Sequence, residues 1–448
     1  MAKIAIVSLG CPKNQCDAEL MQAKIADAGY GLVAEQGDAD VVIINTCCFI
    51  QSAKEESIEE ILEAAAREKH KIIVTGCLSE RYKQQVADEF PEVNAVLSLS
   101  ANDDIVEIIK ELLAADGDSN AEAPQILRFG DICGHNMEGT RLLATSQHSV
   151  RTAYLRVADG CDNNCAYCAI PMFRGHFRSR PLANIVKEAE ELVAAGVREL
   201  ILVAQDVTNY GADLSSEVNL PALLRELARI DELRWVRLLY CYPHRITDEL
   251  IDVMATEPKV AKYLDMPIQH CNSEILEAMN RPVINIAGLV TKLRERVPGI
   301  VLRSTVLVGF PGETPEQFTE LAEFVHLTRF DHLGCFAYSQ EEGTAAAEMP
   351  YQVDEDEKQR RREIIEEQQE FRVSEQLSAL IGTVLEVLVE GYDKYSEMYF
   401  GRSYMQCPEI DPMVYIAKPD KGSKCEIGAF VRVNITEIID NNLLGAQL

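Results

Sequence analysis

Three cysteines in one short segment, Cys161, Cys165 and Cys168, carry the sharpest chemical signal in this chain. Their C-x3-C-x2-C spacing lets three thiolates ligate three irons of a four-iron, four-sulfur cube, leaving the fourth iron open for a small molecule. A zinc site usually takes four protein ligands, and no fourth Cys or His stands at zinc-ribbon spacing. Zinc, or a purely structural loop, is the competing reading. Cys11, Cys47 and Cys77 form a second set, scattered in sequence. Each stands just past an apolar run that reads as a parallel strand. Parallel strands bring their carboxyl ends side by side, so the three thiols should converge on one sheet edge, where α/β folds build sites. That again suits a cluster with an open iron. The alternative is cysteine packing as a small hydrophobe, and Cys48, beside Cys47, stays open as a ligand. Cys241, Cys335 and Cys271 read as packing or rim thiols.

These cysteines need elements to position them. In the first region, strands read at 3–9, 40–45 and 71–75, with helices at 17–28, 55–68, 79–89 and 103–114. Such alternation gives a parallel sheet with crossover helices. Residues 115–124 read as a linker. Alternation restarts with strands at 153–157, 199–203, 235–239, 263–266, 301–308 and 332–338 and helices between them. Six βα units fit a partial (β/α) barrel, with an open doubly wound sheet as the alternative. In either, the ligand site lies at the carboxyl ends of the strands. A charged helix over 354–380 leads to short alternating strands at 383–390, 397–403, 413–416 and 430–437, a pattern for a small antiparallel β-barrel. The expected organisation is α/β in three domains, 1–118, 147–378 and 380–448.

Weaker candidates sit at strand ends. Gly309, Gly312 and Glu313 follow the 301–308 strand, where glycines allow close backbone approach to a ligand; an ordinary βα turn is the plain alternative. Gln205 and Asp206 end another strand and are candidates for polar contacts to a cofactor. Arg174, Arg178 and Arg180 form a basic spot that suits a carboxylate or, equally, surface ion pairs.

Composition sets limits. The chain has 448 residues, 14 cysteines and a net charge of −29. A phosphate-binding surface is normally basic, so any nucleic-acid patch must be local. No signal-peptide pattern and no apolar run of roughly 20 residues is present, so the expected location is the cytoplasm and no membrane partner is expected. There, cysteines favour metal or redox chemistry over disulfides.

The first trio, with aromatic Tyr167 before the third Cys, matches the radical SAM superfamily. With both sets placed, the chain resembles the methylthiotransferases over essentially its whole length: an N-terminal methylthiotransferase domain, a radical SAM core and a C-terminal TRAM domain. The closer match is to the branch that modifies an aspartate of ribosomal protein uS12. It rests on Ser8-Leu9-Gly10-Cys11-Pro12-Lys13-Asn14, Asn45-Thr46-Cys47, the run from Val74 to Tyr82, Arg174-Gly175-His176 and its sequel, Val308-Gly309-Phe310-Pro311-Gly312-Glu313-Thr314, and Pro408-Glu409-Ile410-Asp411. In the tRNA-modifying (MiaB-like) sister branch, Gln-Met-Asn usually follows the first Cys. One departure is Gln15-Cys16-Asp17-Ala18, where the family often reads Leu-Val-Asp-Ser; it adds a spare thiol.

The resemblance implies two 4Fe–4S clusters. Cys161, Cys165 and Cys168 would hold the one that binds and cleaves S-adenosylmethionine, and Cys11, Cys47 and Cys77 the auxiliary one that presents sulfur. It implies a methylthio group added to an aspartate β-carbon of uS12, and an electron donor such as flavodoxin or ferredoxin. The alternatives are the same chemistry on tRNA adenosine, or a non-enzymatic cluster- or zinc-binding protein. From residue 380 onward six basic residues face ten acidic ones, which suits a Lys/Arg-rich protein better than RNA.

Overall fold

The computed structural model describes every residue except 68, 116–123, 144–150 and 418–424. Most of the expected 115–124 linker, the domain limits at 118 and 147, and the charges of Lys418, Asp420, Lys421 and Lys424 lie outside the described residues.

The N-terminal region is a six-stranded parallel sheet in the spatial order Gly31–Leu32, Lys3–Ser8, Val41–Thr46, Lys71–Gly76, Ala95–Leu97, Ile126–Arg128. All six residues of Val41–Thr46 are buried, as a strand covered on both faces requires. Helix Pro12–Asp27 leads to the edge strand Gly31–Leu32 on one side, and the chain then returns to Val41 on the other. The order therefore reverses between Lys3–Ser8 and Val41–Thr46, and that switch point opens a crevice at the strand carboxyl ends.

The second sheet runs strictly in chain order: Thr152–Arg156, Glu199–Val203, Trp235–Leu238, Val260–Asp265, Val301–Val308, His332–Ala337, all parallel and open at the ends. Sequential order with right-handed crossovers keeps the helices on one face. This distinguishes a partial barrel from a doubly wound sheet, which needs a reversal. The crossover helices are amphipathic; Leu182–Ala194 buries Ile185, Ala189, Leu192 and Val193 against the sheet. The inner face is lined by Tyr154, Ile201, Val203, Leu239 and Tyr263, and is covered by Cys16 and Cys407 from the flanking domains.

Helix Glu355–Ser378, capped by the Asp354 side chain, packs across strand His332–Ala337. Beyond it five strands close into a barrel: Val384–Asp393, Met398–Arg402, Val414–Ala417, Asn442–Gln447, Phe430–Ile439. Pairing is antiparallel except between Val414–Ala417 and Asn442–Gln447, which run parallel. Val387, Val389, Val414, Ile416, Val433 and Ile435 fill its interior, in the alternation a closed barrel imposes.

Two buried polar seams join the three regions. At the barrel seam, fully buried Arg402 donates to Glu199 (2.7 Å) and Glu390 (2.6 Å), while Arg237 donates to the other Glu199 oxygen (2.8 Å). Nearby, Asp411 accepts from Tyr263 Oη (2.6 Å) and Arg303 (2.7 Å). At the N-terminal seam, Asp17 and Asp159 face Arg156 and Arg174, with His135 Nε2 2.9 Å from Asp17.

Candidate active site

Cys11, Cys47 and Cys77 meet at the crevice of the first sheet. Cys11 caps helix Pro12–Asp27, Cys47 follows strand Val41–Thr46, and Cys77 opens helix Cys77–Tyr82. Register pairs Ser8 with Asn45 and Thr46 with Gly76, so the three strand ends stand level. Gly10, at φ 84°, passes so close to Cys47 that a Cβ there would stand 2.7 Å from its Sγ; only glycine fits. Asn14 ties the loops together, donating to Leu9 O and Thr46 O (both 2.9 Å) and offering Oδ1 to the Cys77 thiol (3.5 Å). Ser57 Oγ accepts from Cys47 N (3.0 Å) and donates to Cys47 O (2.9 Å). Burial pushes Cys47 up and Cys77 well up. Burial would also raise Cys11, but Lys13 and Arg174 outweigh it and hold that thiol below its ordinary value.

Cys161, Cys165 and Cys168 lie past strand Thr152–Arg156, at the carboxyl end of the second sheet. Burial pushes Cys168 up to about 12 and raises Cys161. Cys165 Sγ lies 2.7 Å from Tyr242 Oη. Arg281 stacks 4.3 Å from the Tyr242 ring centroid, with Nη1 3.9 Å from Cys165 Sγ. Asn163 donates to Cys161 Sγ (3.4 Å) and to Asp206 (3.0 Å), which also pairs with Arg245. Donors to sulfur and nearby cations make a thiolate set less costly to bury.

A buried chain of contacts links the two trios. Arg174 Nη2 lies 3.4 Å from Cys77 Sγ and 2.5 Å from Asn14 Oδ1. Its Nη1 donates to Asp17 (3.0 Å) and Asp159 (3.2 Å). Asp159 in turn accepts from Gly160 N (3.0 Å), next to Cys161, and from Gln205 Nε2 (2.6 Å). The Cys161 amide donates to Gly175 O (3.1 Å), one residue past Arg174. Arg174 is therefore not a surface ion-pair partner. It joins the two sites, and Arg180, also buried, pairs with Glu138 (2.9 Å) and Glu188 (2.6 Å). Arg178 is half-buried.

A four-iron cube gives each thiolate its own iron, so its ligands stand further apart than those of a single ion. Among the described residues no three His, Cys, Asp or Glu side chains group tightly enough for one metal ion. Within each trio, by contrast, the thiols lie in mutual electrostatic reach. The donor set fits a cluster in both places. Cys16 turns the other way, onto Tyr154 O at 3.9 Å. Cys48 is fully buried in the same apolar cluster as Cys77 and lies within electrostatic reach of both Cys47 and Cys77. Cys271 is half-buried beside Glu320.

The remaining candidates divide. Gln205 Oε1 is buried with no hydrogen-bond partner, a vacant acceptor beside the first trio. Asp206 is committed to Asn163, Thr208 and Arg245. Glu313 is committed to Gly309 N, His270 (3.2 Å) and Arg361 (2.9 Å), and so holds its own turn in shape. The Lys358 stem fills the space a Gly309 side chain would take, whereas the Gly312 side is open. Sequence reasoning missed Asp159, His135, Tyr242 and Arg281. Their roles arise from contacts far apart in the chain; the adjacency of Asp159 to Gly160-Cys161 was the available signal.

The sequence matches the Uncharacterized protein family UPF0004 over residues 3–98, the Radical SAM superfamily over 155–325 and the TRAM domain over 381–447. Among solved structures it is similar to the radical S-adenosylmethionine methyltransferase TsrM from Kitasatospora setae, with TM-score 0.55, 16% identity and 75% of each chain covered. It is also similar to the cobalamin-dependent S-adenosylmethionine radical enzyme OxsB, with TM-score 0.51, 12% identity, and 82% of this chain and 56% of that one covered. These likenesses concern the fold. The ribosomal protein uS12 methylthiotransferase RimO of Geobacter sulfurreducens is 45% identical, covering 99% of this chain and 98% of its own. That of Thermoanaerobacter sp. is 43% identical, covering 99% and 100%. With such identity along the entire length, the chain belongs to the RimO family of methylthiotransferases, within the radical SAM superfamily.

Proposed function

We propose that this protein adds a methylthio group to the β-carbon of an aspartate in ribosomal protein uS12, with one four-iron cluster on Cys161, Cys165 and Cys168 and a second on Cys11, Cys47 and Cys77. The observation that carries the reading is the pair of cysteine trios linked through Arg174 and Asp159. When bound, S-adenosylmethionine and the clusters supply a carbon radical by hydrogen abstraction, the sulfur and the methyl group. The chain's own residues place them. Gln205 Oε1 offers an acceptor to the cofactor beside the first trio. Arg281 and Arg174 each set a buried cation against one trio, which offsets thiolate charge. The regions 1–118, 147–378 and 380–448, the first extended by its edge strand Ile126–Arg128, act as auxiliary-cluster domain, catalytic core and substrate-facing barrel. The electron donor is a small redox protein such as flavodoxin or ferredoxin, and the setting is cytoplasmic. Among the described residues no helix is long and apolar enough to cross a membrane.

A basic protein suits the barrel better than RNA. Glu386, Glu397, Glu409, Glu426, Glu437 and Asp440 are exposed there, against exposed Lys394 and Arg432 among the described residues. Two charges counted from the sequence do not belong to that surface: Arg402 and Asp411 are buried in the seam with the core.

The test is metal content and product together. Anaerobically reconstituted protein should hold about eight irons per chain, from two four-iron clusters. Replacing Cys11, Cys47 and Cys77 together by Ala should leave about four irons, with 5′-deoxyadenosine still formed and no methylthio group on uS12. Normal modification by that variant, or methylthiolation of tRNA and not of uS12 by the native protein, would overturn the reading.

A further inference from the structure

Lys13 is a buried cation whose hydrogen bonds go unused. Its side chain leaves the start of helix Pro12–Asp27 and crosses to the second sheet, and the residue is only 8% exposed. Nζ lies 3.8 Å from the centroid of the Tyr240 ring. Among the described residues, none offers it a hydrogen-bond acceptor or a carboxylate at ion-pair distance. An ammonium carries three donors, and a ring face meets its charge without taking up those donors. The two carboxylates within its electrostatic reach are committed elsewhere. Asp159 is bound to Arg174, Gln205 and Gly160 N, and Asp265 holds Tyr240 N at 2.8 Å.

The platform is built as deliberately as the cation is left open. Tyr240 has φ 59°, a left-handed conformation that is rare for a bulky residue. Asp265 fixes its amide, and its carbonyl accepts from Val207 N at 3.1 Å. This strain holds the ring at the carboxyl end of the second sheet, beneath Lys13. The ammonium thus stands two residues from Cys11 on one side and within reach of Asp159, the neighbour of Gly160-Cys161, on the other.

We infer that Lys13 binds the carboxylate of the target aspartate and so holds its β-carbon in the space between the two cysteine trios. The inference rests on the aspartate-modifying reading above and adds the residue that recognises the substrate side chain. A carboxylate would satisfy the idle N–H donors with charge-assisted bonds. A carboxamide or a nucleobase would leave the charge unpaired. Lys13 is then a specificity residue, beside its electrostatic support of the Cys11 thiol.

The test compares uS12 with its target Asp changed to Asn, on the native protein and on Lys13→Gln and Lys13→Arg variants. Both variants are loaded with clusters, and iron content serves as the check on folding. Binding is read by fluorescence anisotropy of labelled uS12, and modification by mass spectrometry. The native protein should prefer Asp over Asn by about 10- to 100-fold, the range for a hydrogen bond to a charged group. In Lys13→Gln that preference should collapse to within about threefold, while Lys13→Arg should keep most of it. A role confined to supporting the Cys11 thiolate would weaken both substrates equally and leave the ratio intact, and that result overturns the inference while the proposed function stands. If Lys13→Gln loses its iron, an Asp preference of less than about threefold in the native protein or in Lys13→Arg overturns it instead. If the native protein leaves uS12 unmodified, both the function and this inference fall.

Discussion

Replacing Arg174 by Met should loosen the contact between the N-terminal domain and the core more than any other single change at that seam. Two guanidinium groups, Arg156 and Arg174, stand against two carboxylates, Asp17 and Asp159, in a space where these side chains are at most 2% exposed. Met fills much of the volume but leaves one negative charge in excess. It also removes four contacts: those to Asp17, Asp159, Asn14 and Cys77 Sγ. Removing one partner of a buried ion pair costs about 3–5 kcal/mol, because the charge left behind is desolvated and uncompensated. The penalty is local, so native-state hydrogen exchange is the right assay for a chain of several domains. Amides in 10–17 and 158–176 should exchange roughly 100- to 5,000-fold faster, at about 1.4 kcal/mol per tenfold. Adding Asp159→Asn removes the excess charge and should restore part of the protection, a coupling of about 0.5–3 kcal/mol. Acceleration of less than about tenfold in the single variant, or a further loss in the double variant, would refute the charge-balance argument.

Two further expectations concern the barrel. Burial alone would raise the Glu199 carboxyl, but Arg402 and Arg237 outweigh it and lower it from 4.5 to about 2. Its folded value is the depressed one, so its contribution to stability is complete above the ordinary value and is lost as pH falls toward about 2. Thermal midpoints of native and Glu199→Gln apoprotein should therefore converge over that acid range, and a constant gap would contradict the assignment. Glu397→Lys with Glu437→Lys reverses two exposed charges and should weaken uS12 binding. The loss should be smaller at high salt, since screening acts over roughly 8 Å at physiological ionic strength; tighter binding would defeat the electrostatic account of substrate choice.

Much of the architecture was legible because strands of parallel sheets are apolar on both faces and end in turns. Glu199–Val203 and Val301–Val308 fall where the pattern puts them. The strands the pattern misses are two or three residues long, as in Gly31–Leu32, Ala95–Leu97 and Ile126–Arg128, or carry a glycine, as in Asn442–Gln447. Too few alternations remain there to register. Helix Pro12–Asp27 begins five residues earlier than its apolar spacing suggests, because proline suits the first helical position. The 79–89 helix is two pieces, broken at Lys83 with φ 39°. The cysteine trios were visible as types at strand ends. What joins them was not: Arg174 meets Asp17 and Asn14 across 157 and 160 residues, and no local pattern encodes such a pairing. Asp411 shows the converse error. It reads as surface charge by type, yet it is fully engaged inside.

The seam made by Arg402 and the 403–411 turn bears on how far the barrel can be treated as an exchangeable module. Its fold is self-contained, but its first hairpin sends Arg402 to Glu199 and its next turn sends Cys407 and Asp411 against the inner face of the core. A chimera that grafts a foreign barrel after helix Glu355–Ser378 would take Arg402 from Glu199, leaving it to Arg237 alone, and would take Asp411 from Tyr263 and Arg303. Swapping recognition barrels between relatives thus requires transplanting the turn with its sockets on the core strands. A lineage that changes its substrate through this barrel has to alter the outward loops and leave the inward hairpin as it is.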